Sequence, residues 1–450
     1  MVRQKVIKEK FTAYLLIAVI TATLGGLLFG YFTAAISGAL IFLAPAFHLD
    51  VFEQGVVVSL ILIGCVFGAV IAGPCTEFVG RKKTLALSAA LFIIGGCILA
   101  VCDSYTTLLI GRFISGLAVG ITSLAAPLYI SEISPPRYRG MFVSSYQLAI
   151  TFGILLSFFV NYCFSASGSW RWMFAIGILP ALLQMIALFF VAETPPWLFK
   201  QGLEEKAIGI LQKLRHGKNW MNQIDAMKSV ASPHKTGTWK TLFSPKLRFV
   251  LIIGFLLSVF QQITGINTVI YYAPKIFEIA GFPSATSALV ATLGVGIVNF
   301  LVTILSVYLL DRVGRRSLLL VGALGMAVSL LVLAFAFFVS TPFIDKIAVL
   351  SLMAYVSFFA IGLGPVTWVL LSEIYPLKVR SKAMSTAIFA NWGFNYLVSL
   401  TFLDLIQGLK AQGTFLLFAV ISLIAFWFIH RFIPETRGKS LEEIESHIAR

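Results

Sequence analysis

Gln261, Gln262, Thr264, Asn267, Thr268, Tyr271 and Tyr272 crowd uncharged hydrogen-bonding groups into one short stretch. It continues an apolar run from Leu251 to Phe260. Two adjacent glutamines and an asparagine at membrane depth are expensive, because lipid offers no hydrogen-bond partner. Facing a polar cavity would account for them. On an ideal helix Asn267 and Tyr271 share a face. Gln261 and Gln262 point elsewhere unless the helix loosens, and Gly265 is where loosening costs least. The alternative is a helix-packing seam joined by amide hydrogen bonds. The concentration of donors and acceptors in one segment favours a ligand site.

The elements that must position this stretch are membrane helices. Of 450 residues 59% are hydrophobic and 12% charged, with a mean hydropathy of +0.93. Soluble domains run near a quarter charged. The basic excess, 34 Lys and Arg against 19 Asp and Glu, does not mark a nucleic-acid partner, because its distribution follows membrane topology. Cys65, Cys75, Cys97, Cys102 and Cys163 show no CxxC or Cys/His clustering, so neither a disulfide frame nor a metal site is indicated. The apolar run after Lys10 continues through Phe32 and is read as an uncleaved first span.

Segments long enough to cross a bilayer, about 20 residues each, fall at 11–33, 54–74, 84–102, 107–130, 142–163 and 171–192. After a polar stretch they resume at 249–272, 286–310, 317–339, 347–371, 383–405 and 413–433. The fold class is therefore an all-α membrane protein of twelve transmembrane helices in two six-helix bundles. The expected divisions are an N-terminal bundle 1–194, a linker 195–248, a C-terminal bundle 249–434 and a tail 435–450. All Lys and Arg except Arg112, Arg171, Lys275, Lys346 and Lys410 fall before the first span, in even-numbered breaks, or, from Arg431 on, at or beyond the end of the last span. The positive-inside rule then puts both termini in the cytoplasm. In the linker, Leu203, Ala207, Ile210, Leu211 and Leu214 share one helical face, as expected of a surface helix under the bundle. His216 and His234 in the linker and His447 in the tail are expected to be solvated.

The chain repeats itself. Glu77 with Gly80-Arg81-Lys82 recurs as Asp311 with Gly314-Arg315-Arg316; Glu132 and Arg139 recur as Glu373 and Arg380; Glu193-Thr194 recurs as Glu435-Thr436. Parallel halves with a site between them at mid-depth are a transporter architecture. Glu77, Glu132 and Glu193 with Arg81 and Arg139 would form one cluster. Asp311, Glu373 and Glu435 with Arg312, Arg315 and Arg380 would form the other. These charges would clamp the halves together when the pore opens outward and separate when it opens inward; only a network could do so, since exposed pairs are individually weak. The plain alternative is that the arginines merely obey the positive-inside rule, although that rule gives the repeated acids little weight.

These motifs resemble the sugar porter family of the major facilitator superfamily over nearly the whole chain. The matching stretches are Gly26 to Tyr31, Gly80-Arg81-Lys82, Gly111-Arg112, Pro127 to Glu132 with Arg139-Gly140, and Glu193-Thr194-Pro195 before Trp197. In the second half they are Gln261 to Tyr272, Asp311 to Arg316, Gly364-Pro365 with Trp368 and Glu373, Asn391-Trp392, and Pro434 to Gly438. The resemblance is closest to bacterial hexose or pentose porters and the facilitative glucose transporters. It implies the major facilitator fold, alternating access, no cofactor and no enzymatic activity, and a monosaccharide bound between the halves in the plasma (inner) membrane. By motif position the sugar hydroxyls would meet Gln147, Gln261, Gln262, Asn267, Tyr271, Asn299 and Asn391, with Phe29, Trp368 and Trp392 as aromatic faces. The chemistry agrees: amides both donate and accept, and rings cover the apolar C–H face of a sugar. For Gln147 and Asn299 helix glue is a rival reading, and for Trp392 core filling is. Gly364-Pro365 is a helix-weakening pair suited to a gate hinge beside Trp368.

One departure matters. Proton-coupled members of the family carry an aspartate where this chain has Phe32, while the aspartate's usual partner is retained as Arg112. No other acid or histidine falls near mid-span, and membrane proton relays normally need one. The residues therefore lean toward facilitated diffusion and the family background toward proton symport. Arg112 without its acid must reach water, a backbone carbonyl, a loop acid or an anionic sugar. An inositol-like polyol, a sugar acid or another organic anion is an alternative cargo. A membrane enzyme would need a catalytic constellation that His48, His216, His234, His430 and His447 do not form. A sugar sensor would need more signalling apparatus than the tail offers. The expected partners are a small sugar and the bilayer, with protons only under symport.

Overall fold

The computed structural model describes residues 11–215, 224, 244, 247–375 and 379–436, without the side chains of Asp311, Ser372, Arg380 and Ser381. The first half comprises α1 (Ala13–Ala46), α2 (Val51–Phe78), α3 (Arg81–Val101), α4 (Tyr105–Ile133), α5 (Arg139–Cys163) and a sixth span built from α6 (Trp170–Ala175) and α7 (Ile178–Phe190). Two short helices follow, α8 (Pro195–Lys200) and α9 (Glu204–Leu214). The second half comprises α10 (Arg248–Ile263), α11 (Ile266–Ile279), α12 (Ala285–Val313), α13 (Arg315–Val339), α14 (Ile344–Ile361), α15 (Leu363–Ile374) and α16 (Arg380–Phe432). The last is two spans joined at Lys410, whose φ of 57° is not helical.

The spans are helical because lipid leaves the backbone no other way to pair its polar groups. The starts of α1, α4 and α2 are capped by side chains: Thr12 accepts from Leu15 N, Ser104 from Thr107 N, and Asp50 with Glu53 closes a capping box. Twelve spans form as the hydropathy pattern indicates. α1 is longer than expected and runs to Ala46, since residues 34–46 remain apolar apart from Ser37 and its proline falls in the last turn. The seventh span is interrupted at Gly265, where loosening was expected, with φ +92°. A side chain there would also strike the Phe418 ring, 2.8 Å from a Cβ. The tenth span is interrupted at Gly362 rather than at Gly364-Pro365. Pro365 lacks an N–H for the carbonyl of Ile361 and its ring crowds the turn before it, so the helix yields upstream. Ser306 Oγ donates to that carbonyl instead, at 3.3 Å.

The halves meet through α2 against α16, α5 against α12 and α1 against α11. They approach closely at the end away from the repeated charges, where a Cβ on Gly55 would lie 2.5 Å from the carbonyl oxygen of Leu400. In the linker, α9 buries Ala207, Leu211 and Leu214 with Ile210 half-buried, as its pattern indicates. Leu203 departs from that face: it is the residue before the helix and is 40% exposed. The end of α9 is fastened to the first half, Thr12 donating to Leu214 O at 3.4 Å and Arg215 to Ile133 O at 2.8 Å. His216, His234 and His447 lie outside the described residues.

Candidate functional site

Between the halves is a cavity of about 570 Å³. Every residue assigned above to sugar lines it: Phe29 on α1, Gln147 on α5, Gln261 and Gln262 on α10, Asn267 and Tyr271 on α11, Asn299 on α12, Trp368 on α15, and Asn391 and Trp392 on α16. The wall extends through Pro127, Val143, Leu310 and Val369, so the cavity reaches toward the end that carries the repeated charges. Among the described residues that line it, none is Asp, Glu, Lys, Arg or His. The break at Gly265 brings Gln261 and Gln262 of one half-helix to the same chamber as Asn267 and Tyr271 of the next.

The amides form a directed chain. Asn267 Nδ2 donates to Gln262 Oε1 at 2.6 Å, Gln262 Nε2 to Asn391 Oδ1 at 3.1 Å, and Asn391 Nδ2 to Gln261 Oε1 at 2.6 Å. Gln261 Nε2 ends the chain on two backbone carbonyls of α15, Leu363 O at 2.7 Å and Gly364 O at 3.0 Å. Because each amide is paired, the chain costs little at this depth. Its half-buried end at Asn267 is open to an incoming hydroxyl. Phe29 and Trp392 face one another across the halves with ring centroids 5.7 Å apart. Asn395, one turn beyond Asn391, also lines the chamber and was missed; its i, i+4 spacing was the available signal.

Arg112 is fully buried in the first half. Its guanidinium donates to Val57 O at 3.0 Å, Phe32 O at 3.1 Å and Val58 O at 2.9 Å. Of the partners open to it on sequence grounds, backbone carbonyls are the ones it takes. The Phe32 side chain turns away from the chamber and stacks on Phe92 with centroids 5.0 Å apart. An apolar ring thus occupies the core position, and the arginine is held by the backbone of α1 and α2.

A family model described as "Sugar (and other) transporter" matches residues 18–447. The chain belongs to the sugar porter family of the major facilitator superfamily. As a porter it moves sugar across a membrane and is not an enzyme. The glucose transporter GlcP of Staphylococcus epidermidis is 39% identical over 428 residues, covering 95% of this porter and 95% of the relative. The D-xylose-proton symporter of Escherichia coli is 38% identical over 476 residues, covering 97% and 96%. Among solved structures, the inward open conformation of the xylose transporter XylE from E. coli superposes with a TM-score of 0.85 at 36% identity, covering 96% of this porter and all of that chain.

The porter's two charge clusters are built alike, each inside its own half. Arg81 pairs with Glu132 at 2.7 Å, and Arg315 with Glu373 at 3.0 Å. Thr194 Oγ1 donates to Glu132 Oε2 and Thr436 Oγ1 to Glu373 Oε2. Glu193 accepts from the backbone N–H of Arg81 and Lys82, and Glu435 from those of Arg315 and Arg316. Each acid therefore sits on the N-terminus of a helix, where the backbone donors and the helix dipole favour it. Gly80 (φ +103°) and Gly314 (φ +102°) make the turns possible; a Cβ on either would strike the capping carboxylate. Burial holds the Glu193 carboxyl above its usual range, against the pull of those N–H groups. Two members depart from the expected clusters. Glu77 pairs with Lys200 of α8, because the linker turns back under α2 and Trp197 anchors on Glu77 O. Arg139 is exposed at the start of α5 and makes no ion pair among the described residues. The side chains of Asp311 and Arg380 lie outside the described ones.

Proposed function

We propose that this porter carries a neutral monosaccharide, a hexose or pentose, by alternating access and facilitated diffusion. One observation supports it above the rest: a chamber of amides and aromatic rings with no ionisable side chain but tyrosine among the described residues that line it. Amides satisfy hydroxyls without discharging a fixed charge, and rings cover the C–H face. Phe29, Gln147, Gln262, Asn267, Tyr271, Asn299, Trp368, Asn391 and Trp392 are the residues to which we assign sugar contact, with Gln261 supporting them. The divisions 1–194, 195–248, 249–434 and 435–450 are taken as the working parts. The basic end is taken as cytoplasmic, in the plasma (inner) membrane, with both termini there. The chamber then opens inward, in keeping with the inward open relative it resembles.

With the chamber open at that end, Glu132 and Glu373 pair within their own halves. We take the same charges to meet across the halves when the chamber opens outward, so that Glu373→Arg slows transport without abolishing sugar binding.

Sugar–proton symport is the second reading, favoured by relatives named as proton symporters. It needs a titratable group that senses the chamber. Here Phe32 stands at the family's acid position, and Arg112 is already satisfied by three carbonyls. Uptake into vesicles with and without a pH gradient separates the two. Facilitated diffusion gives the same final sugar level in both; proton-driven accumulation above the outside concentration overturns it.

A further inference from the structure

A second, smaller cavity of about 130 Å³ lies between the halves at the end away from the repeated charges, the outer end on the reading above. Both halves build its wall. One face of α1, from Ser37 to Ala44, gives it a largely apolar side, and Gln54 of α2 joins from the same half. Lys275 and Glu278 of α11 come from the other half. Ser37 is only 2% exposed, and its hydroxyl has no hydrogen-bond partner among the described residues. Buried hydroxyls are nearly always paired, because an unpaired one costs free energy. Gln54 ties its amide nitrogen to Leu49 O at 3.1 Å and has its oxygen to offer. Lys275 and Glu278 pair with each other at 3.1 Å, one turn apart.

The charges select the chemistry of an occupant. An anion drawn to Lys275 would meet Glu278, and a cation drawn to Glu278 would meet Lys275. A neutral hydroxyl can accept from the ammonium and donate to the carboxylate without separating the pair. Size narrows the choice further. A cavity of about 150 Å³ takes a benzene-sized molecule, about six non-hydrogen atoms, so a whole monosaccharide is too large. We propose that this cavity is a second binding site, for a small neutral polyol of glycerol's size. The site is separate from the sugar chamber, but its consequence rests on the alternating-access reading above. Parting of the halves at this end takes Lys275 and Glu278 away from Ser37 and Gln54. An occupant therefore binds the state that is closed there and, by linkage, holds the porter in it.

Glycerol is the probe, and the full chain in lipid nanodiscs is the sample. Saturation-transfer NMR follows glycerol binding without sugar, so failure of the transport reading would show in sugar titration and not here. Ser37→Ala removes the unpaired hydroxyl and is expected to weaken binding about fivefold, the factor one neutral hydrogen bond carries. Ala44→Leu keeps a good helix former, fills the cavity and is expected to abolish binding. Gln262→Leu, in the sugar chamber, should leave glycerol binding as it was. Binding lost in Gln262→Leu but kept in Ala44→Leu would put the glycerol in the chamber and overturn the second site. So would an unmodified protein that binds no glycerol, or binding that neither Ser37→Ala nor Ala44→Leu weakens. Thermal unfolding identifies a variant that fails to fold, and the other then carries the test. Spin labels at the outer ends of α3 and α14, one in each half and off the site, read the consequence. Glycerol at about ten times its dissociation constant should raise the closed-to-open ratio by about tenfold, and should not do so in Ala44→Leu. An unchanged ratio in the unmodified protein, with glycerol bound, would overturn the hold on the closed state.

Discussion

The two halves share a frame and differ in the middle. At the charged end they are near copies: a glycine turn, an arginine on a glutamate, a threonine on the same glutamate, and a second glutamate capping the next helix. At mid-depth the likeness ends. In the first half α1 and α4 run unbroken, and the buried Arg112 fastens α4 to the backbone of α1 and α2. In the second half their counterparts, the seventh and tenth spans, are each in two pieces with amides at the joints. A duplicated bundle has thus become one stiff wall and one jointed wall, and the chamber takes most of its polar lining from the jointed one.

The largest effect should come from attacking the stiff wall. Arg112→Leu removes the charged donor that ties α4 to the helical carbonyls of Phe32, Val57 and Val58. The expected loss is on the order of 3–5 kcal/mol, seen as a sharp fall in Tm and in monodisperse yield. If instead it folds normally and loses only transport, the stiff half is not held as described.

Next is Phe32→Asp, which sets a carboxylate where the ring stacks on Phe92. Two things are expected: a drop of a few degrees in Tm from lost packing, and sugar uptake that gains a dependence on the imposed pH gradient. Uptake that remains indifferent to pH would separate the residue at this position from coupling.

Glu132→Gln and Glu373→Gln sharpen the likeness of the charged ends. Each weakens one ion pair while keeping the threonine contact, at about 1 kcal/mol. The two variants should lose stability equally in thermal unfolding, and unequal losses would break the symmetry.

The smallest effect concerns Glu193. Its carboxyl is held above the unfolded value by burial, so the folded state binds the proton more tightly. Stability from this group is then fully present below the unfolded value and is lost as pH rises through the folded one. A small rise in Tm is expected on acidification from neutral pH toward that window, and Glu193→Gln should flatten it.

The frame was legible because it rests on local signals. Apolar runs mark spans, repeated loop motifs mark the duplication, and Gly265 marks the weak point among Gln261, Gln262 and Asn267. What escaped depends on which segments meet in space. Nothing in the sequence around Arg112 says that its partners are the carbonyls of Phe32, Val57 and Val58. Tyr355 reads as one more aromatic in an apolar span until its hydroxyl is seen on Thr264. Glu77 looked like a member of the Arg81 cluster because the linker's return to place Lys200 beside it is a tertiary event. The end of α1 was set too early because an apolar run carries no stop signal before its turn.

Sugar titration onto the purified protein reaches the central claim most directly. Glucose, xylose, inositol and a sugar acid are titrated calorimetrically against the unmodified porter and against Gln262→Leu and Asn267→Leu, whose Tm should stay within a few degrees. A neutral monosaccharide is expected to bind saturably and to lose at least about tenfold in affinity in each variant, in line with unmade hydrogen bonds to hydroxyls. Affinity that is unchanged in both variants, or binding confined to the sugar acid, would contradict the account.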